Sequence, residues 1–260
     1  MMDQLCQKYL NNFTKLCVKP IFNKTRKNSA VIVETRFSPN LILVIKNFLY
    51  FFKDYNLIIF SSAEILTKLK DEIGGDFLGI ALNSSTMSIG EYNIMLKSEK
   101  FWNSLPGENI LIFQSDCIFF RYKDLSKIDY AMLGATSVSP DPEDFIINGG
   151  LSYRKKNIMI DIIKNKQNFD IINSSFYKKI KTEFNDDTRT KKLFAQEDVF
   201  FTLAIKQYYP NLFPSYYDCL DFAIESVGNP LKVLGLHGTD KNYFRKEILQ
   251  QAIAFSEFYQ

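Results

Sequence analysis

The sequence predicts an α/β protein whose central sheet is mostly parallel and flanked by helices, and three observations carry that expectation. Short apolar runs without polar alternation occur at Ala30-Val31-Ile32-Val33, at 56–60 and at 109–113. Such runs read as strands buried on both faces. The stretch after the first run is helical in pattern, with Ser38 placed to cap it and Pro39 at its first position. Strand and helix then alternate, and the natural outcome is a parallel sheet with right-handed crossovers.

Taken in order, residues 3–17 read as an amphipathic helix with Leu5, Tyr9, Leu10 and Phe13 on one face. Residues 24–29 form a polar joint. The first strand ends in Glu34-Thr35-Arg36, and the helix opened by Ser38 runs to about residue 52. A second strand at 56–60 leads into a helix opened by Ser61-Ser62-Ala63-Glu64. Residues 83–91 are small and polar and predict a loop. Residues 92–102 predict a helix, and 109–113 the next strand. Ile118-Phe119-Phe120, residues 130–134 and residues 151–154 read as further short strands. Residues 137–147 and 181–192 read as loops, 158–166 and 199–208 as helices. A last helix over about 242–258 carries Phe244, Ile248, Ala252 and Phe255. The expected organisation is an N-terminal helix and joint over 1–29, one domain over 30–241, and a C-terminal helix over 242–260 packed on it.

The bulk numbers narrow the function classes. Hydrophobic residues make up 46% of 260, enough for a large core. Thirty-two basic against 29 acidic side chains give a net charge of +3, which makes no bulk electrostatic case for nucleic acid. No window reaches the ~18 uncharged apolar residues of a membrane helix. Cys6, Cys17, Cys117 and Cys219 form no C-x-x-C pair, and the first residues do not pattern as a secretion signal. The expected compartment is the reducing cytoplasm.

Five positions could carry chemistry. Gln114 and Asp116 lie two apart at the end of a strand, where an extended chain would aim both at one crevice. Asp116 either caps a turn or holds a divalent cation against a diphosphate. Asn148-Gly149-Gly150 is either an ordinary turn or a segment whose bare N–H groups approach a ligand. Gln196-Glu197-Asp198 precedes an apolar helix as a cap or as a general base. His237 is the only histidine and sits between glycines, as a loop ligand would; Lys241, four residues on, could meet a phosphate. Glu34 and Arg36 form either an ion pair or a nucleotide contact.

The order of Tyr92-Asn93-Ile94-Met95-Leu96, Phe101-Trp102, the strand ending in Gln114-Ser115-Asp116, Tyr130-Ala131-Met132-Leu133-Gly134-Ala135, Asn148-Gly149-Gly150-Leu151-Ser152 and Gln196-Glu197-Asp198-Val199-Phe200-Phe201 resembles an uncharacterised glycosyltransferase-like family with a GT-A fold, over about residues 30–240. It is also similar to the fringe and β-1,3-galactosyltransferase type. The resemblance implies a nucleotide-sugar donor and Mn²⁺ or Mg²⁺. It implies Asp116 and His237 as metal ligands, with Gln114 facing the ribose or the metal shell. Gly149 and Gly150 would line the donor, beside Ser115 and Asn148, and Asp198 with Glu197 would supply the acceptor-side base. Gln114 departs from the Asp-x-Asp pattern, and an amide is a poorer ligand for a hard cation than a carboxylate. The acceptor stays open among glycan, lipid, protein and nucleic acid. A non-catalytic nucleotide-sugar or glycan binder is the main competing expectation. A nucleotidyltransferase lacks support, because no glycine-rich basic loop follows the first strand.

Overall fold

The computed structural model describes residues 2–136, 142, 144–165, 182, 192–193, 195–239 and 246–259. The expected loops over 137–147 and 181–192 fall largely outside these residues, and Lys241 and the start of the last helix fall wholly outside them.

The described chain runs α1 (Gln4–Asn11), β1 (Asn28–Val33), α2 (Pro39–Phe51), β2 (Asn56–Ser61), α3 (Ala63–Ile73), β3 (Leu78–Ala81), α4 (Ile89–Leu96), α5 (Glu99–Asn103), β4 (Asn109–Phe113), β5 (Cys117–Phe119), β6 (Met132–Gly134), β7 (Leu151–Lys155), α6 (Lys156–Asn165), α7 (Glu197–Tyr208), α8 (Tyr216–Leu220), β8 (Ala223–Ile224), β9 (Gly235–His237) and α9 (Lys246–Ala254). Six strands form one sheet in the order β3-β2-β1-β4-β7-β6, and β5-β9-β8 form a second. β1 pairs in parallel with β2 and β4, and β2 with β3. β7 is antiparallel to β4 and to β6. The expected mixed α/β architecture with a mostly parallel sheet is therefore present.

The strand order places a topological switch between β1 and β4. β1 leads outward to β2 and β3 on one side, while β4 lies on its other side. The carboxyl ends of two such strands diverge into a crevice where ligands bind in open α/β sheets. The helices that flank it are fixed by their caps. Ser38 Oγ accepts from Leu41 N at 3.2 Å with Pro39 beside it, and Ser62 caps α3 through Ile65 N. Behind the sheet, Phe48 stacks on Phe52 and Phe113 with centroids 5.2 and 5.0 Å apart. Asn47, fully buried among them, donates to Phe119 O and accepts from Phe119 N at 3.0 and 2.6 Å. That pair of bonds pins the small sheet to α2.

Three boundaries differ from expectation for local reasons. α1 stops at Asn11, because Asn12 and Thr14 side chains take the carbonyls of Tyr9 and Asn11. The helix expected over 92–102 is two helices, broken where Ser98 Oγ takes the Met95 carbonyl and then caps α5. α4 begins inside the expected loop, since Ser88 and Glu91 form a reciprocal capping box. The chain ends meet on one side: Phe258 packs on Phe13 at 4.7 Å, and Asp3 N donates to Thr239 O at 2.8 Å.

Candidate functional site

A cleft of about 740 Å³ opens at the switch point. Glu34 and Arg36 line it from the end of β1, Gln114, Ser115 and Asp116 from the end of β4, and Asn148, Gly149 and Gly150 from the approach to β7. Glu197 and Asp198 reach it from the first turn of α7, and His237 from the end of β9. The structure thus gathers every expected site residue that lies within the described chain.

At the β1 side, the Arg36 guanidinium meets Glu34 at 3.0 and 3.2 Å, and Arg36 N also donates to Glu34 at 2.8 Å. Ser115 Oγ donates to Glu34 Oε2 at 2.6 Å, which joins the ends of β1 and β4. Burial works against the charge on Glu34, but the hydrogen bonds from Arg36 and Ser115 outweigh it and hold the carboxyl below its ordinary range. The Arg36 side chain keeps 84% of its surface exposed at the cleft mouth, while Glu34 keeps 9%.

Gln114 and Asp116 do not lie on an extended strand. Cys117 N donates to Gln114 O at 3.1 Å, so residues 114–117 turn, and the two side chains converge through the turn rather than through strand alternation. They converge on His237: Gln114 Oε1 is 3.1 Å and Asp116 Oδ1 3.6 Å from its Nε2. The Asp116 carbonyl accepts from Gly238 N and Thr239 N, which locks the turn to the end of β9. His237 itself is a buried strand residue and not the loop ligand expected, because Gly235–His237 pairs with Cys117–Phe119.

The Gly149-Gly150 dipeptide is needed for room, not for free N–H groups. Gly150 N donates to Asn148 Oδ1 at 2.7 Å, and Gly149 N to Asp198 Oδ2 at 3.2 Å, so both donors are used internally. A Cβ on Gly150 would overlap the His237 ring, and one on Gly149 would overlap Glu197 Oε1 and come within 3.2 Å of Asp198 Cβ. Adjacent Cα atoms are about 3.8 Å apart. One peptide unit therefore separates the groups that crowd His237 from those that crowd Asp198.

Glu197 and Asp198 are separated by environment. Glu197 turns onto Arg154, which is fully buried in β7; both of its oxygens pair with the guanidinium, with Nη2 3.0 Å from Oε1. Desolvation opposes the charge on Arg154, but Glu197 overcomes it and keeps the guanidinium ionised. This pairing buries Glu197 against Arg154, whereas Asp198, expected to share its role, is the more exposed of the two. Asp198 is only half-buried by exposure, and each oxygen accepts one backbone N–H, from Val199 at 2.8 Å and Gly149 at 3.2 Å. Desolvation and then the neighbouring Glu197 charge raise its pKa to about 6.

Two participants were not singled out in the sequence. Arg154 lies two residues from Ser152 on a buried strand, and that polar face was the available signal. Glu225 directly follows β8, as Glu34 follows β1. It accepts from Asn148 Nδ2 at 3.0 Å and stands 3.8 Å from His237 Nδ1. Among the described residues no group of three His, Cys, Asp or Glu side chains is arranged for a metal. A two-residue donor set does converge there. Adjacent donors around a hexacoordinate cation lie about 3 Å apart, close to the Asp116–His237 spacing. The Asp116 carboxylate fits a cation that takes most of its shell from phosphate oxygens, and His237 Nε2 joins it once it gives up its hydrogen bond to Gln114 Oε1. No described helix is long and apolar enough to cross a membrane.

Solved structures with a similar chain path include mouse xyloside xylosyltransferase 1 in its apo form, at TM-score 0.50 and 11% identity over 81% of this chain and 97% of that one. Two others are 4-diphosphocytidyl-2C-methyl-D-erythritolsynthase from Anaerococcus prevotii DSM 20548 (TM-score 0.39, 10% identity, 91% and 98% covered) and the glycosyltransferase GlyE of Streptococcus pneumoniae TIGR4 (0.39, 15%, 88% and 61%). At these identities the likeness is one of fold, and the xylosyltransferase carries it. Comparison with curated proteins finds no match. A family model described as a protein of unknown function, DUF5672, matches residues 80–237, which hold Gln114, Asp116, Gly149, Gly150, Asp198, Glu225 and His237. The chain belongs to the DUF5672 family.

Proposed function

We propose that the cleft binds a nucleotide-diphosphate sugar and transfers the sugar to an acceptor hydroxyl with inversion. The observation that carries this reading is the Gly149-Gly150 dipeptide, which abuts Asp198 on one side and His237 on the other. In this reading Asp198, on the Gly149 side, would accept the acceptor proton, and the His237 cluster, on the Gly150 side, would face the diphosphate. The fold is also one in which mouse xyloside xylosyltransferase 1 is built.

In this reading Asp198 takes the acceptor proton. A carboxylate offers about four acceptor sites, and the two backbone N–H bonds orient it while leaving lone pairs for a hydroxyl. Its pKa of about 6 keeps it mostly ionised at neutral pH yet basic enough to share a proton. Glu197 and Arg154 form the buried anchor that sets the α7 terminus against the glycines. Glu34, with Ser115 and Arg36, faces the nucleoside end, where a carboxylate held ionised accepts hydroxyl donors. Asp116 and His237, with Gln114 beside them, would hold Mn²⁺ or Mg²⁺ against the diphosphate, and the ion would supply charge neutralisation for the leaving group.

A thermal-shift panel of UDP-, GDP-, CMP- and dTDP-sugars, with and without Mn²⁺, tests the binding half. One nucleotide class should raise Tm, and Mn²⁺ should enlarge that rise. Equal melting with every donor contradicts the reading. Binding of a donor with no release of nucleoside diphosphate would favour a non-catalytic binder.

A further inference from the structure

The buried hydroxyls of Ser29, Ser152, Ser256, Tyr9 and Tyr153 all donate hydrogen bonds within the fold. Among the described residues, two buried side-chain hydroxyls make no hydrogen bond, Tyr92 Oη and Thr239 Oγ1. Both residues line the cleft at the switch point. A buried hydroxyl without a hydrogen bond leaves its desolvation cost uncompensated, so it lowers the stability of the fold. Such exceptions are expected where a group is kept for a ligand.

The two hydroxyls flank the turn that carries Gln114 and Asp116. On one side, Gly238 with a φ of 82° turns the chain after β9, and the N–H groups of Gly238 and Thr239 meet the Asp116 carbonyl at 3.1 and 3.0 Å. Asp3 N donates to the Thr239 carbonyl at 2.8 Å, so backbone bonds hold Thr239 at both ends while its side chain makes none. It stands two residues from His237, beside the cluster assigned to the diphosphate. A hydroxyl there can donate to an anionic phosphate oxygen, a charge-assisted bond.

On the other side, Tyr92 lies on α4, which Glu197 N ties to α7 by donating to Asn93 Oδ1 at 2.8 Å. The Glu197 and Asp198 carboxylates act on the phenol, and Gln114 lies beside it without closing a hydrogen bond. Burial, and next the Glu197 charge, push the phenol above its ordinary range, so it stays an O–H donor at neutral pH. In the sugar-transfer reading the sugar lies between Asp198 and the diphosphate, and its oxygens are acceptors for such a donor.

We propose that both hydroxyls are donor-binding groups, Thr239 Oγ1 for a diphosphate oxygen and Tyr92 Oη for an oxygen of the transferred sugar. The naming of phosphate and sugar rests on the sugar-transfer reading. That the hydroxyls serve a ligand and not the fold rests on their burial in the cleft without a hydrogen bond.

The test uses the full chain and three variants: Thr239→Val, Thr239→Ser and Tyr92→Phe. Isothermal titration in Mn²⁺ with inorganic pyrophosphate, with UDP, GDP and dTDP, and with UDP-glucose, GDP-mannose and dTDP-glucose separates phosphate from sugar. Thr239→Val should weaken pyrophosphate and the preferred nucleoside diphosphate about 10- to 100-fold, the range of a lost hydrogen bond to a charged group. Thr239→Ser should retain them. Tyr92→Phe should weaken the nucleotide-sugar about two- to tenfold and leave its nucleoside diphosphate unchanged. Without ligand, Thr239→Val and Tyr92→Phe should each melt about 2–4 °C above wild type, because each removes an uncompensated polar group. A hydroxyl that serves the fold would give the opposite sign.

Melting below wild type with unchanged affinities overturns the proposal, as does wild type that binds no probe. Equal loss of nucleoside diphosphate and nucleotide-sugar in Tyr92→Phe removes the sugar contact. Nucleotide-sugar turnover by wild type, with affinities that no variant alters, keeps the transferase reading and overturns the two contacts. Loss of pyrophosphate affinity in Thr239→Val, in a protein that releases no nucleoside diphosphate from any nucleotide-sugar, keeps the phosphate contact and removes the transferase reading.

Discussion

The two walls of the cleft are built differently. The wall at the end of β1 is built on a short-range pair: Glu34 and Arg36 are two residues apart, both line the cleft, and Arg36 is largely in solvent. The opposite wall comes from distant residues. Arg154 and Glu197 are 43 residues apart, Asn148 and Glu225 are 77 apart, and Gln114 and His237 are 123 apart. Exposed pairs contribute little to stability, whereas a broken buried pair leaves an uncompensated charge. The wall assigned to chemistry is also the wall that holds the buried ion pair, while the other is free to tune affinity.

The largest expected effect tests the chemical wall. Asp198→Asn should lower transfer about 10²–10⁴-fold, the usual contribution of a positioned general base, as read by nucleoside diphosphate release. The same variant has a stability signature of opposite sense. Folded Asp198 holds its proton more tightly than the unfolded chain does, so its own contribution to stability falls as pH rises from 3.8 to about 6 and stays at the reduced level above that. The difference in urea-denaturation stability between wild type and Asp198→Asn, followed against pH, should show this slope. For transfer, the acid limb of kcat/KM should turn near pH 6, where Asp198 ionises.

Next comes the buried pair. Arg154→Leu should cost about 3–5 kcal/mol by leaving Glu197 buried without its partner. Arg154→Leu with Glu197→Leu should recover much of that loss, and denaturation midpoints check both. A double variant as unstable as the single one would mean that the pair does more than neutralise itself.

Gly150→Ala should lower transfer about 10²-fold with the fold kept, because the new Cβ must displace the His237 ring and a shift of about 1 Å at a reacting centre costs that much. The smallest effect belongs to the exposed wall. Arg36→Ala should change stability by less than about 1 kcal/mol and raise donor KM with kcat nearly unaltered. A large stability loss there would erase the contrast between the walls.

How much of this was legible follows the same division. Ser38-Pro39 and the runs at 30–33, 56–60 and 109–113 announce the β1–β4 half, since caps and apolar runs are local signals. The antiparallel insertion of β7 is not local, because Leu151–Lys155 reads the same in either direction. Residue type alone points to Asp116 and His237, and both line the cleft, but local pattern does not give their geometry. A turn and not strand alternation aims Asp116, and His237 is a buried strand residue. The glycines were found as well, yet their requirement comes from Glu197 and His237, which no short window contains. Glu225 was missed because its partners, Asn148 and His237, meet it only in the folded chain.

The central claim is that Asp198 and the Asp116–His237 cluster serve one sugar-transfer reaction. Nucleoside diphosphate release from the donor class that stabilises the protein, measured with acceptor for wild type and Asp198→Asn side by side, tests it most directly. The account predicts turnover by wild type and a fall of at least about 10²-fold in the variant, with donor binding preserved. Equal turnover by the two proteins would contradict it.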